Sequence, residues 1–252
     1  MLSHFLTSQL FAFLLVFCRL GSAIMLLPGF GEAYVAMRIR LFLALMFSVV
    51  VAPTIHLPPV PANTFTLIQL LSAEILIGLF IGGVSRMLIA TVHIAGTIIA
   101  YESSLSSALT QNITSFQGQD SSLGNLLSMT AVVLMFVTDL HHVMLKGLVD
   151  SYTLFLPGQM PLMGDIAQHA TQTVSGIFQM AMQMAAPNIA VGLMLYLGAG
   201  ILARLMPNMQ IFFILMAPQL LISFFILMVS FSAIMLWYLD YFRTTLTGFL
   251  AP

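Results

Sequence analysis

Long apolar stretches dominate this chain, and nearly all of them are interrupted. Six segments carry the hydropathy of membrane helices: residues 5–27, 41–55, 67–100, 123–137, 174–203 and 211–239. A helix crosses a hydrocarbon core of about 30 Å with about 20 apolar residues. The second and fourth segments are short for that task and the third is long. The set therefore predicts tilted or hairpin helices rather than a regular upright bundle. The interruptions fall inside the segments: Arg19 in the first, Glu74, Arg86 and His93 in the third, Pro187-Asn188 in the fifth and Pro218 in the sixth. In hydrocarbon each break frees backbone polar groups or buries an ion, and a neighbour must satisfy it. The pattern predicts an all-α, membrane-type chain built to pack against partners.

The connections are turn-rich. Pro28-Gly29-Phe30-Gly31 stops the first helix, and Pro53, Pro58, Pro59 and Pro61 favour an extended linker. Residues 103–122 form the longest polar stretch, rich in Ser, Thr, Gln and Asn, and its length favours a functional loop over a plain connector. Residues 156–165 and 205–210 read as further loops, the second holding Met206-Pro207-Asn208. Gly78-x-x-x-Gly82 permits close helix–helix approach, and Gly192, Gly198 and Gly200 suggest a second close-packed surface. Arg38 and Arg40 mark the first loop as cytoplasmic, so six crossings would put both termini on the opposite side. The first segment mimics a secretory signal. However, no Lys or Arg precedes its apolar run and Arg19 lies beyond it, so it is read as a retained helix.

Composition sharpens the class. Of 252 residues, 60% are hydrophobic and 6% charged, against about 25% charged in a soluble domain. Seven basic and eight acidic side chains form no basic patch, which excludes phosphate-backbone recognition and with it nucleic acid as a partner. The single cysteine, Cys18, cannot form an intramolecular disulfide and reads as a small buried hydrophobe. The 19 methionines serve as core filler or as adaptable contacts between subunits.

Candidate chemistry is sparse. Asp139, His141 and His142 could share a helical face, but neither His-Glu-x-x-His nor Cys-x-x-Cys is present. The run is read as a helix end at the membrane surface near Lys146, with no metal site. Glu74 and Arg86 are twelve residues apart, roughly 18 Å along a helix. They cannot pair with each other, so each needs a partner elsewhere, either in a structural pairing or in a transport role. No nucleophile elbow, phosphate-binding loop or intramembrane Gly-Asp pair occurs. The chain is therefore read as no enzyme, with no catalytic residue and no cofactor.

The breaks also stand in a definite order. Arg19-Leu-Gly-Ser-Ala is followed by Leu27-Pro28-Gly29-Phe30-Gly31, Arg38-x-Arg40, Val51-Ala52-Pro53 and Glu74-Ile-Leu-Ile-Gly78-Leu-Phe-Ile-Gly82. Ala185-Ala186-Pro187, Arg204-Leu-Met-Pro207-Asn208-Met209-Gln210-Ile211-Phe212 and Ala217-Pro218 complete it. This order, over roughly residues 5–241, resembles the FliR family of flagellar biosynthesis proteins. The SctT family of virulence-type secretion systems shares the layout. Where the family often carries a Gly-Gly-His-like turn, this chain reads Thr138-Asp139-Leu140-His141-His142.

The resemblance implies a core subunit of the flagellar type III export gate, in the bacterial inner membrane at the flagellar basal body. Its layout would be a FliP-like part, 1–165, followed by a FliQ-like part, 166–252. Its hydrophobic segments would form kinked hairpins in a helical assembly with FliP and FliQ homologues around a protein-conducting channel. It would contact an FlhB homologue and pass exported flagellar proteins in transit. By position, a channel plug would fall near 109–120, on Ser115, Phe116, Gln117 and Gly118. Arg19, Pro28, Gly29, Glu74, Arg86, Pro187, Arg204, Pro207 and Pro218 would be bends or buried polar contacts. The alternatives are an injectisome SctT subunit and a small-solute transporter, the latter suggested by Glu74, Arg86 and the two proline breaks.

Overall fold

A computed structural model describes residues 2–55, 58–61, 63–103, 121–158, 163–206 and 211–250. Among these residues the chain is helical and contains no strand. The helices are α1 (Leu2–Leu26), α2 (Met37–Val51), α3 (Thr64–Glu102), α4 (Ser122–Val137), α5 (Leu140–Leu154), α6 (Met163–Leu205) and α7 (Ile211–Leu250). Five helices among the described residues are long and apolar enough to cross a membrane, and six spans result if the bent pair α4–α5 counts as one.

Several elements differ from the sequence reading. Pro53 sits inside a short 3-10 turn, Ala52–Thr54, rather than in an extended linker. A proline at the start of such a turn loses no needed donor. Arg38 and Arg40 belong to the first turn of α2, not to the loop before it. Arg40 donates from Nε to Val35 O at 3.0 Å and from Nη2 to Glu32 O at 2.6 Å, closing the preceding turn. Helix α5 was not foreseen. Its buried positions Leu140, Met144, Leu148, Ser151 and Tyr152 follow the helical repeat. His142 and Lys146 face outward and dilute its hydropathy. Helices α3, α6 and α7 run without interruption for 39, 43 and 40 residues.

The described residues form two compact units, and each long helix contributes to both. Unit 1 comprises residues 1–88, 135–174 and 242–252. Its core is built from Leu15, Leu20 and Ala23 of α1, Ile77, Ile81 and Leu88 of α3, Leu148 of α5 and Phe242 of α7. Unit 2 comprises residues 89–134 and 175–241. There Val92 and Ala95 of α3, Ala131 of α4, Ala181 and Ala185 of α6 and Tyr238 of α7 are buried. Two buried hydroxyls are satisfied by their own helices, Ser48 Oγ donating to Ala44 O and Ser85 Oγ to Ile81 O, whereas those of Thr91 and Tyr152 find no hydrogen-bond partner among the described residues.

Glycines set the closest approaches. In unit 1 a Cβ at Gly78 would collide with Ser22 Oγ and the Arg19 carbonyl, and one at Gly82 would lie 2.7 Å from Ala23 O. In unit 2 a Cβ at Gly96 would lie 2.7 Å from the Cα of Gly124. Of the three glycines expected to form a second packed surface, only Gly192 meets another side chain. Among the described residues nothing lies within 4 Å of a Cβ at Gly198 or Gly200.

Candidate functional site

Glu74, Gly78 and Gly82 recur every four residues on one face of α3, so the glycines that let α1 approach also bring Glu74 to Arg19. Both side chains are fully buried, and Arg19 Nε donates to Glu74 Oε2 at 2.6 Å. The remaining guanidinium donors reach the end of α5. Nη1 bonds Ser151 O at 3.2 Å and Ser151 Oγ at 3.4 Å, and Nη2 bonds Phe155 O at 3.0 Å. The last carbonyls of a helix lack intrahelical donors and carry partial negative charge, so a cation there completes the helix. The Tyr152 ring covers the guanidinium carbon at 3.9 Å, a cation–π contact that strengthens with desolvation. Gly158, in the left-handed region at φ 85, turns its N–H toward Glu74 Oε1 at 3.3 Å.

This is a neutral, closed cluster joining α1, α3 and α5. An unpaired ion there would cost several kcal/mol. Pairing plus hydrogen bonds to most donor atoms offsets much of that cost. Of the two readings open for Glu74, the geometry favours structural pairing over ion transport.

Unit 2 has a polar centre of its own. Each proline inside a long helix is followed by an amide residue: Pro187 by Asn188 in α6, and Pro218 by Gln219 in α7. The prolines are exposed and the amides buried. Ser223 Oγ donates to Asn188 Oδ1 at 3.3 Å, tying α7 to α6. Gln219 Nε2 donates to the backbone carbonyl of Glu102, at the end of α3, and approaches the Tyr196 hydroxyl at 3.2 Å. The Glu102 carboxylate packs on Gly192, where a Cβ would lie 2.7 Å from Oε2. Glu102, Asn188, Gly192, Gln219 and Ser223 line a small, partly open cavity of about 10 Å³. A proline inside a helix frees the carbonyl four residues earlier and clashes with it. Polar side chains one position on therefore cross-link the helices at the two places where their own ladders are weakest.

The other residues singled out from sequence are dispersed. Pro28 and Gly29 are buried in the turn after α1, with Gly29 at φ 80. Arg86 and Arg204 are exposed rather than buried. Pro207 and the candidate plug, Ser115, Phe116, Gln117 and Gly118, lie outside the described residues. The methionines divide: Met180, Met184 and Met235 are buried, whereas Met194, Met206 and Met228 are exposed. Sequence reasoning missed Ser151, Tyr152, Phe155 and Gly158 in the first centre, and Glu102, Gln219 and Ser223 in the second. An amphipathic repeat across 140–154 would have located α5 and its contribution.

Comparison with known proteins follows the same span. Residues 10–245 match the bacterial export proteins, family 1. The flagellar biosynthetic protein FliR of Caulobacter vibrioides is 35% identical over 243 residues, 96% of each chain. The protein of that name from Bacillus subtilis is 30% identical over 240 residues, 93% of this chain and 92% of the relative. That of Escherichia coli K12 is 30% identical over 187 residues, 74% and 71% of the two chains.

Proposed function

We propose a function from one premise: the chain belongs to the bacterial export proteins, family 1, the FliR family. Family and apolar helices together make it a membrane protein of the flagellar protein-export apparatus. Within that apparatus we assign it the role of a core export-gate subunit. It assembles with FliP and FliQ homologues, contacts an FlhB homologue and helps form and close a channel for exported flagellar proteins. Its place is the bacterial inner membrane at the flagellar basal body, with 1–165 as a FliP-like part and 166–252 as a FliQ-like part. The segment 115–118 is the channel plug in this reading.

One observation carries the assembly claim. Helices α6 and α7 are long and mostly uncovered: in an apolar 18-residue stretch of each, 22% of the residues are buried within Gly164–Leu205 and 11% within Leu215–Gly248. At 1.5 Å per residue their apolar segments, 174–203 and 211–239, are about 45 Å long, half as long again as a hydrocarbon core of about 30 Å. Fitting such a segment wholly within the core needs a tilt of roughly 45–50°, beyond the 0–40° range of membrane helices. Apolar surface that lipid cannot reach requires protein cover. The flagellar names of the relatives favour flagellar over injectisome use. The neutralised Glu74 argues against a solute transporter.

Co-expression with FliP and FliQ homologues tests the assignment. It predicts one large detergent-stable particle containing all three chains. A lone monomer that restores export contradicts it.

A further inference from the structure

Asp139, His141 and His142 stand at the break between α4 and α5, apart from both buried centres. The structure adds to their sequence a geometry that a plain helix end does not require. Each offers one ligand atom, and the three atoms lie within 4.8 Å of one another. Asp139 reaches this arrangement with φ 59, a left-handed conformation uncommon outside glycine. Its Oδ1 lies 3.5 Å from His142 Nδ1. That is long for a charge-assisted hydrogen bond of about 2.7–2.9 Å. It is close to the separation of about 3.4 Å that two ligands keep when each binds a tetrahedral ion at about 2.05 Å. The two imidazole rings sit 4.0 Å apart, and Phe136 packs 5.0 Å from the His141 ring. His141 Nδ1 is buried without a hydrogen-bond partner among the described residues, an unusual state for a buried polar atom.

We propose that Asp139, His141 and His142 bind a divalent transition-metal ion of the Zn²⁺, Co²⁺ or Ni²⁺ kind. Two imidazole nitrogens and one carboxylate oxygen suit these ions, whereas Mg²⁺ and Ca²⁺ prefer oxygen ligands throughout. Asp139 and His142 are exposed, so the ion can enter from solvent. Three protein ligands leave a coordination position for water or for a neighbouring subunit. The bound ion pins the start of α5 to the turn before it, and its role is structural.

Titration of the tag-free, full-length protein in detergent with Co²⁺ alone tests the site. The expected result is one saturable ion per chain, seen in the ligand-field spectrum, and a raised unfolding temperature. His142→Ala and Asp139→Asn should each weaken binding by at least about tenfold, the lower end of what even outer-sphere partners contribute. His169→Ala, an exposed imidazole on α6, should leave binding unchanged. Because the two altered ligands are exposed, the metal-free variants should unfold at the wild-type temperature, so that weaker binding reports a lost ligand. Absence of saturable binding overturns the site. So does wild-type affinity in His142→Ala, or an equal loss in His169→Ala.

Discussion

Arg19 binds Glu74, Ser151 and Phe155 at once and lies under the Tyr152 ring. Arg19→Met leaves the Glu74 carboxylate buried and frees the last carbonyls of α5, so it should destabilise the protein by about 3–5 kcal/mol. Combining it with Glu74→Leu should recover much of that loss, because an apolar pair of similar volume has no desolvation cost. Thermal unfolding of the single and double variants checks this. A double variant as unstable as the sum of the singles would contradict the pairing. Both ions were legible in the sequence as charges inside apolar runs. Their pairing was not, because they are 55 residues apart and meet only when α1 and α3 pack. The other partners of Arg19 include the backbone oxygens of Ser151 and Phe155, which leave no mark in a sequence.

Helix packing turns on small residues whose identity was visible but whose neighbours were not. Gly78 and Gly83 are alike in sequence. A Cβ at Gly78 strikes the backbone of α1, and one at Gly83 meets nothing within 4 Å among the described residues. Gly78→Ala should therefore lower the unfolding temperature. Gly83→Ala should hold or raise it, since Ala is favoured over Gly in a helix by about 1 kcal/mol. Equal responses from the two variants would sink the account of the α1–α3 contact. In unit 2, Gln219→Leu leaves the Glu102 carbonyl without its donor, at a cost of about 1–3 kcal/mol. Chemical denaturation would measure it. The prolines were conspicuous in the sequence. The polar cross-links lie one position on, at Asn188 and Gln219, where the side chain turns inward. Helix α5 escaped notice because its polar face masks its apolar stripe in a search for membrane spans.

At the scale of the molecule, hydropathy gave the number and order of apolar segments but not what covers them. Helices α1 and α3 find partners within the chain, whereas α2, α6 and α7 leave wide apolar faces open. A monomer would have to present these faces to lipid or water. A gate subunit presents them to other subunits. Deleting 115–118 should raise ion leakage through the membrane if the segment seals the channel, and unchanged leakage would count against that role. The central claim is that the exposed faces of α6 and α7 are subunit interfaces, and site-directed crosslinking tests it most directly. A photoreactive residue in place of Met228, 81% exposed on α7, or Met194, 71% exposed on α6, should crosslink to FliP or FliQ homologues in intact cells. Adducts with lipid alone at both positions, in cells that assemble flagella, would contradict it.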